Sequence, residues 1–92
     1  VTIIGDPPEE GSVYLDEHHA YRFVEFEGER VGITEFHYTG DHWCAGFVAF
    51  KNYDPVHGWD VVSTEPLTLS PSLLCLLCNS HGFIRDGKWV QA

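Results

Sequence analysis

The stretch CLLCNSHGFIRDGKWV, Cys75 to Val90, sets two cysteines and a histidine at even three-residue steps and follows them with a tight-turn signal. Asp86-Gly87 is that signal, because a two-residue type I′ hairpin turn needs positive φ at both central positions and Gly tolerates it at no steric cost. Phe83, Ile84, Trp89 and Val90 supply apolar flanks for the two arms. The chain therefore reads as ending in a β-hairpin, with a cysteine–histidine cluster feeding into it.

Cys75-x-x-Cys78 is the spacing at which two thiolates reach one tetrahedral Zn²⁺ at about 2.3 Å. Asn79 and Ser80 follow the second cysteine, where a knuckle needs a residue that accepts the left-handed conformation, as Asn does. His81 can add an imidazole nitrogen from the same loop. A closed structural site needs one more ligand, and the candidates flank the segment YTGDHW: His37, Cys44 and His42. Cys44 would complete a Cys₃His set and His37 a Cys₂His₂ set; both are ordinary for zinc, and the spacing does not choose. Such a site would tie an early hairpin to the last one, the long closure at which a small core gains most from a staple.

Other chemistries ask for features that the sequence lacks or leaves open. A pair of reduced core cysteines beside a hydrogen-bonded histidine stays an alternative, since free Cys is among the most buried residue types. A redox Cys-x-x-Cys wants a βαβ frame around it, and none surrounds this one. A catalytic metal wants an open coordination position and a general base; Glu35, two residues before His37, is the only carboxylate suited to that role. His18 and His19 follow the polar stretch LDE and read as solvated, and His57 reads as a loop residue. No Gly-rich phosphate loop and no Gly-x-Ser-x-Gly elbow occurs.

Working outward, strand signals dominate. YRFVEF places Tyr21, Phe23 and Phe26 on one apolar face, EGER turns around Gly28, and VGITEFHY returns with Val31, Ile33 and Glu35 on one face and Thr34, Phe36 and Tyr38 on the other. This is a hairpin. VTII is a short strand closed by GDPPEEGS, and WCAGFVAF is a further strand. WDVVSTEPLTLS reads as one strand broken at Pro66, because proline cannot donate to a ladder. Short helices are expected at Glu17–Arg22 and around Ser72–Leu76. The fold class is all-β or β-rich: one small domain over 1–92, with an acidic leader at 1–20, a β core at 21–92 and antiparallel hairpins stapled by a zinc knuckle at 75–81.

The bulk numbers fit that reading. Hydrophobic residues make up 43% and aromatics 14%, which suits a folded core, yet a chain of 92 residues buries a modest share of its surface and benefits from a staple. Three cysteines cannot pair completely within one chain. The net charge is −9, and residues 1–46 hold ten acids against Arg22 and Arg30. Such a surface repels phosphates, so direct nucleic-acid binding is disfavoured, whereas a basic protein partner is attracted. No apolar run approaches the ~20 residues of a membrane span, and no basic-then-apolar segment opens the sequence. The expected setting is cytoplasmic, with thiols reduced.

The residues WDVVSTEPLTLSPSLLC, followed by the Cys-x-x-Cys-x-x-His-Gly knuckle and the FIRDGKWV ending, run from Trp59 to Val90. This third of the chain resembles a family of small proteins encoded by tailed phages of actinobacteria. FHYTGDHWCAGFVAF is more loosely similar, with a histidine near His37 and sometimes a cysteine near Cys44. The resemblance strengthens the zinc reading, whose candidate ligands are His37, Cys44, Cys75, Cys78 and His81, and implies a phage setting, the cytoplasm of an infected bacterium. It implies no activity. One closed-looking site, the lack of a catalytic constellation and the acidic first half lead to the expected function: non-catalytic binding of a host or phage protein, with self-association as a further option. The alternatives are a DNA mimic, in which the acids of the first hairpin imitate phosphates and occupy a host nucleic-acid-binding protein, and a metal-dependent hydrolase.

Overall fold

The computed structural model describes residues 2–5, 8, 10–75 and 79–92. Among these residues there are ten strands and no helix: β1 (Thr2–Gly5), β2 (Val13–Asp16), β3 (His19–Phe26), β4 (Glu29–Tyr38), β5 (Trp43–Ala49), β6 (Asp60–Thr64), β7 (Leu67–Ser70), β8 (Leu73–Leu74), β9 (His81–Arg85) and β10 (Lys88–Gln91). They form a five-stranded sheet in the order β1-β5-β4-β3-β2, a three-stranded sheet β10-β9-β8 and a two-stranded sheet β6-β7. Every strand pairing is antiparallel. The all-β class and the antiparallel hairpins follow the sequence reading.

Turn chemistry sets the registers. The β3–β4 turn has φ of 52° at Glu27 and 80° at Gly28, and the β9–β10 turn has 51° at Asp86 and 71° at Gly87. Both are the positive-φ pairs that a two-residue hairpin demands. Between β4 and β5, the Thr39 N–H donates to the His42 carbonyl at 2.9 Å, and the His42 N–H donates to Thr39 Oγ1 at 3.2 Å. That closed loop fixes Tyr38 opposite Trp43 and His37 opposite Cys44. A slip of one residue would turn every side chain of β5 to the other face.

Alternation along the large sheet then sorts residues by face. Tyr21, Ile33 and Val48 lie on the side where they pack with Leu67, Leu69, Leu73 and Ile84 from the C-terminal strands. Ile33, Leu67 and Ile84 are completely buried, and removing each such side chain from water contributes about 1.5–3 kcal/mol. A smaller cluster of Ala20, Phe36 and Ala45, with Trp43 against it, occupies the opposite face. The core is therefore sandwiched between the five-stranded sheet and the C-terminal hairpins.

Four local expectations are corrected. The stretch from Trp59 to Ser70 is not one broken strand but a hairpin, β6–β7, reversing at Glu65-Pro66; Pro66, with no N–H to give to a ladder, sits at the turn where none is needed. The expected helix at Glu17–Arg22 is instead a turn leading into β3. There the Asp16 carboxylate accepts the His18 backbone N–H at 2.8 Å, and the following residues pair with β4. In place of the one around Ser72–Leu76, Leu73 and Leu74 pair with β9; Leu76 lies outside the described residues. Phe26 does not share the buried face of Tyr21: a register shift between Val24 and Glu25 and the adjacent turn leave it 58% exposed.

Candidate metal centre

The β4–β5 ladder presents two of the sequence candidates side by side. His37 and Cys44 are directly opposed, and antiparallel partners on one face hold their Cβ atoms about 4.5–5.5 Å apart. Cys75 arrives from the other layer, at the end of β8. Its backbone N–H donates to the Ser80 carbonyl at 2.9 Å, and the Asn79 N–H donates to the Cys75 carbonyl at 2.8 Å. Asn79 takes the left-handed conformation, φ 60°, that the knuckle reading asks of it. One ligand atom from each of His37, Cys44 and Cys75 lies within 4.8 Å of the others, and all three residues are buried. Around a tetrahedral zinc, sulfurs at 2.3 Å would stand roughly 3.8 Å apart, so a small contraction turns this group into a coordination sphere. These three residues can hold a metal ion.

Glu35 completes the arrangement in a way the sequence did not reveal. Alternation puts it on the same face as His37, and its register partner is Gly46, which has no side chain to block it. His37 Nδ1 donates to the carboxylate, 2.9 Å from Oε1 and 3.2 Å from Oε2. A carboxylate can only accept, so this contact places the proton on Nδ1 and makes Nε2 the nitrogen suited to a metal. The sequence reading nominated Glu35 as a base for hydrolysis; the structure places it at the back of His37. The signal was present as Glu-x-His on a strand, the spacing that shares a face.

Among the described residues, no other sequence candidate joins this group. His81 is exposed on β9, and its Nε2 lies 2.8 Å from Ser72 Oγ. The chain is already a strand at His81, so the period of two sends Gly82 and Ile84 inward and His81 outward. His42 is half-buried in the β4–β5 loop, 3.6 Å from Asp41. Cys78 lies outside the described residues. His18 and His19, expected to be solvated, diverge: His18 is exposed, whereas His19 stands opposite His37. Its ring stacks on Trp89 at 4.3 Å and 10°, and its Nδ1 donates to Asp16 at 2.8 Å.

A cavity of about 80 Å³ between the layers is lined by Glu35, His37, Gly46, Cys75, Ser80 and Trp89, among others. His37 also forms part of the wall of an open groove edged by His18, His19 and Tyr38. Partial burial works to raise the Asp16 carboxyl, but hydrogen bonds from His19 and His18, with the charge of His19, outweigh it and hold the group below the usual aspartate value. Among the described residues, no helix is long and apolar enough to cross a membrane. No protein-family model, curated protein or solved structure matches the chain.

Proposed function

We propose that this chain is a small zinc-stapled phage protein that works by binding another protein, without catalysis. The observation that carries the reading is the gathering of His37, Cys44 and Cys75 from two layers into one buried group. Thiolate and imidazole together favour zinc over hard cations. In this reading Cys78, three residues after Cys75, supplies the fourth ligand and closes a Cys₃His set. A closed set is structural, because a catalytic zinc keeps a position for water. Glu35 then serves as the partner that orients His37, the usual role of a carboxylate behind a zinc-bound histidine. The phage setting rests on the similarity of Trp59–Val90, and the preference for a protein partner with a basic surface on the acidic first half of the chain.

Elemental analysis joined to X-ray absorption at the zinc edge tests the staple. The expected result is one zinc per chain with three sulfurs and one nitrogen. A bound oxygen in place of a protein ligand would move the protein to the hydrolase reading, and absence of zinc from protein purified without chelator would remove the staple. The binding half of the reading is tested with immobilised, zinc-loaded chain in lysate of an actinobacterial host. One partner retained in stoichiometric amount and released by moderate salt is expected; no retained partner would contradict it.

A further inference from the structure

Away from the metal centre, the start of β4, the turn after β5 and strand β6 enclose a groove of about 300 Å³. Its apolar lining comes from Phe50, Trp59 and Val61. Arg30 and Lys51 also line it, two of the five cations in a chain that carries fourteen acids. The one acid in the lining, Asp60, stands 3.8 Å from Lys51. An apolar floor with a cationic edge is thus set into a strongly acidic protein.

The groove is built from tied backbone. The Phe50 N–H donates to the Val31 carbonyl at 2.8 Å, the Trp59 N–H to Ala49 at 2.8 Å, and the Lys51 N–H to Trp59 at 3.0 Å. Asn52 Nδ2 donates to the Arg30 carbonyl at 3.0 Å, joining the two cationic segments. Arg30 is held over the Phe23 ring at 3.9 Å. Trp59 is anchored by its Nε1–H, which donates to the Ser72 carbonyl at 3.2 Å. Beside the groove, Val62 is 67% exposed on β6, a strand that among the described residues pairs only with β7.

We infer that this groove seats a short segment of a partner protein in which a large apolar side chain stands beside a carboxylate. The apolar group packs on Trp59 and Val61, and the carboxylate meets Arg30 and Lys51. Charge complementarity selects this occupant. A purely apolar segment would leave Arg30 without a carboxylate and Lys51 with Asp60 alone, and a basic one would meet the cations as like charges. The inference rests on the reading of the chain as a protein-binding module and names an anchor point for it; it does not depend on the metal.

The test titrates zinc-loaded, ¹⁵N-labelled full chain with the acetylated, amidated peptide Ser-Phe-Asp-Leu-Ser and with its Asn counterpart. The Asp peptide is expected to shift the amide signals of Asn52, Trp59 and Val61 and to bind about fivefold more tightly than the Asn peptide, the scale of one exposed ion pair. The double variant Arg30→Gln, Lys51→Gln should bring the Asp peptide down to the Asn peptide's affinity while zinc content stays unchanged. Both replaced side chains are exposed; should the variant nevertheless misfold, the comparison of the two peptides on the native chain decides alone. Equal affinity of the two peptides, shifts confined to another surface, no binding at millimolar peptide, or self-association that occupies these amides would each overturn the groove assignment. A lysate partner retained despite that outcome would leave the binding reading standing and place its surface elsewhere.

Discussion

The two sides of the candidate metal centre are built very differently. His37 and Cys44 sit on a ladder with seven register pairs, between strands of ten and seven residues. Cys75 follows a two-residue strand with only two register pairs to its neighbour. On the first side, the sheet fixes the ligands whether or not an ion is bound. On the second, position depends on a short turn and on the contact of Leu73 with the core. In the proposed stapled form, metal binding would therefore add little order to the ladder and much to the C-terminal layer, because the stabilisation of a staple comes from the segment it restrains.

Removing the ion should expose that asymmetry most. Apparent zinc-binding free energies in small domains are about 10–16 kcal/mol, comparable with the whole stability of a domain, about 5–15 kcal/mol. Chelation, or Cys75→Ser, is therefore expected to abolish metal binding and to melt at least the C-terminal layer, read by loss of near-ultraviolet circular dichroism from Trp89 and its neighbours. A folded, metal-free Cys75→Ser chain with an unchanged melting temperature would break the comparison. Next in size is the core that the layers share. Leu67→Ala should cost about 2–5 kcal/mol, measured by urea unfolding, and the loss should persist when zinc is saturating.

Glu35→Gln sharpens the ladder side. Loss of the carboxylate behind His37 should weaken metal affinity about 10–100-fold, measured by competition with a coloured chelator, with the fold retained. An unchanged affinity would show that the ladder alone orients the imidazole. The smallest effect is at Asp16. Its folded value lies below the unfolded one, so its contribution is present above the ordinary aspartate range and fades as pH falls through the lowered value. With the side chain 44% exposed, solvent screens the contribution. Asp16→Asn should flatten only slightly the fall of melting temperature between about pH 5 and 3, and a steeper fall would reverse the assignment.

Much of this architecture was legible because turns and alternation are local. Asp86-Gly87 marked its hairpin through the φ it requires, and the faces of β4 followed from a period of two. Cys75 and the His37–Cys44 segment were also legible as halves of a site, through spacing. What could not be read was register. The opposition of His37 and Cys44 depends on the Thr39–His42 loop, and the approach of His19 to His37 on a pairing eighteen residues apart. His81 shows the same limit from the other side: three-residue spacing suits a loop, but the onset of β9 turns its side chain away. Pro66 was recognised as a breaker, yet whether the chain breaks or reverses there is decided by the partner strand.

In the proposed staple, a metal at His37, Cys44 and Cys75 holds the C-terminal layer on a sheet that is ordered without it. Amide hydrogen exchange on the zinc-loaded and the chelated chain tests it most directly. Chelation is expected to strip protection from residues 72–75 and 79–85 well before it reaches the β3–β4 pairing. Protection that is the same in both forms, with all ten strands exchanging alike, would contradict it.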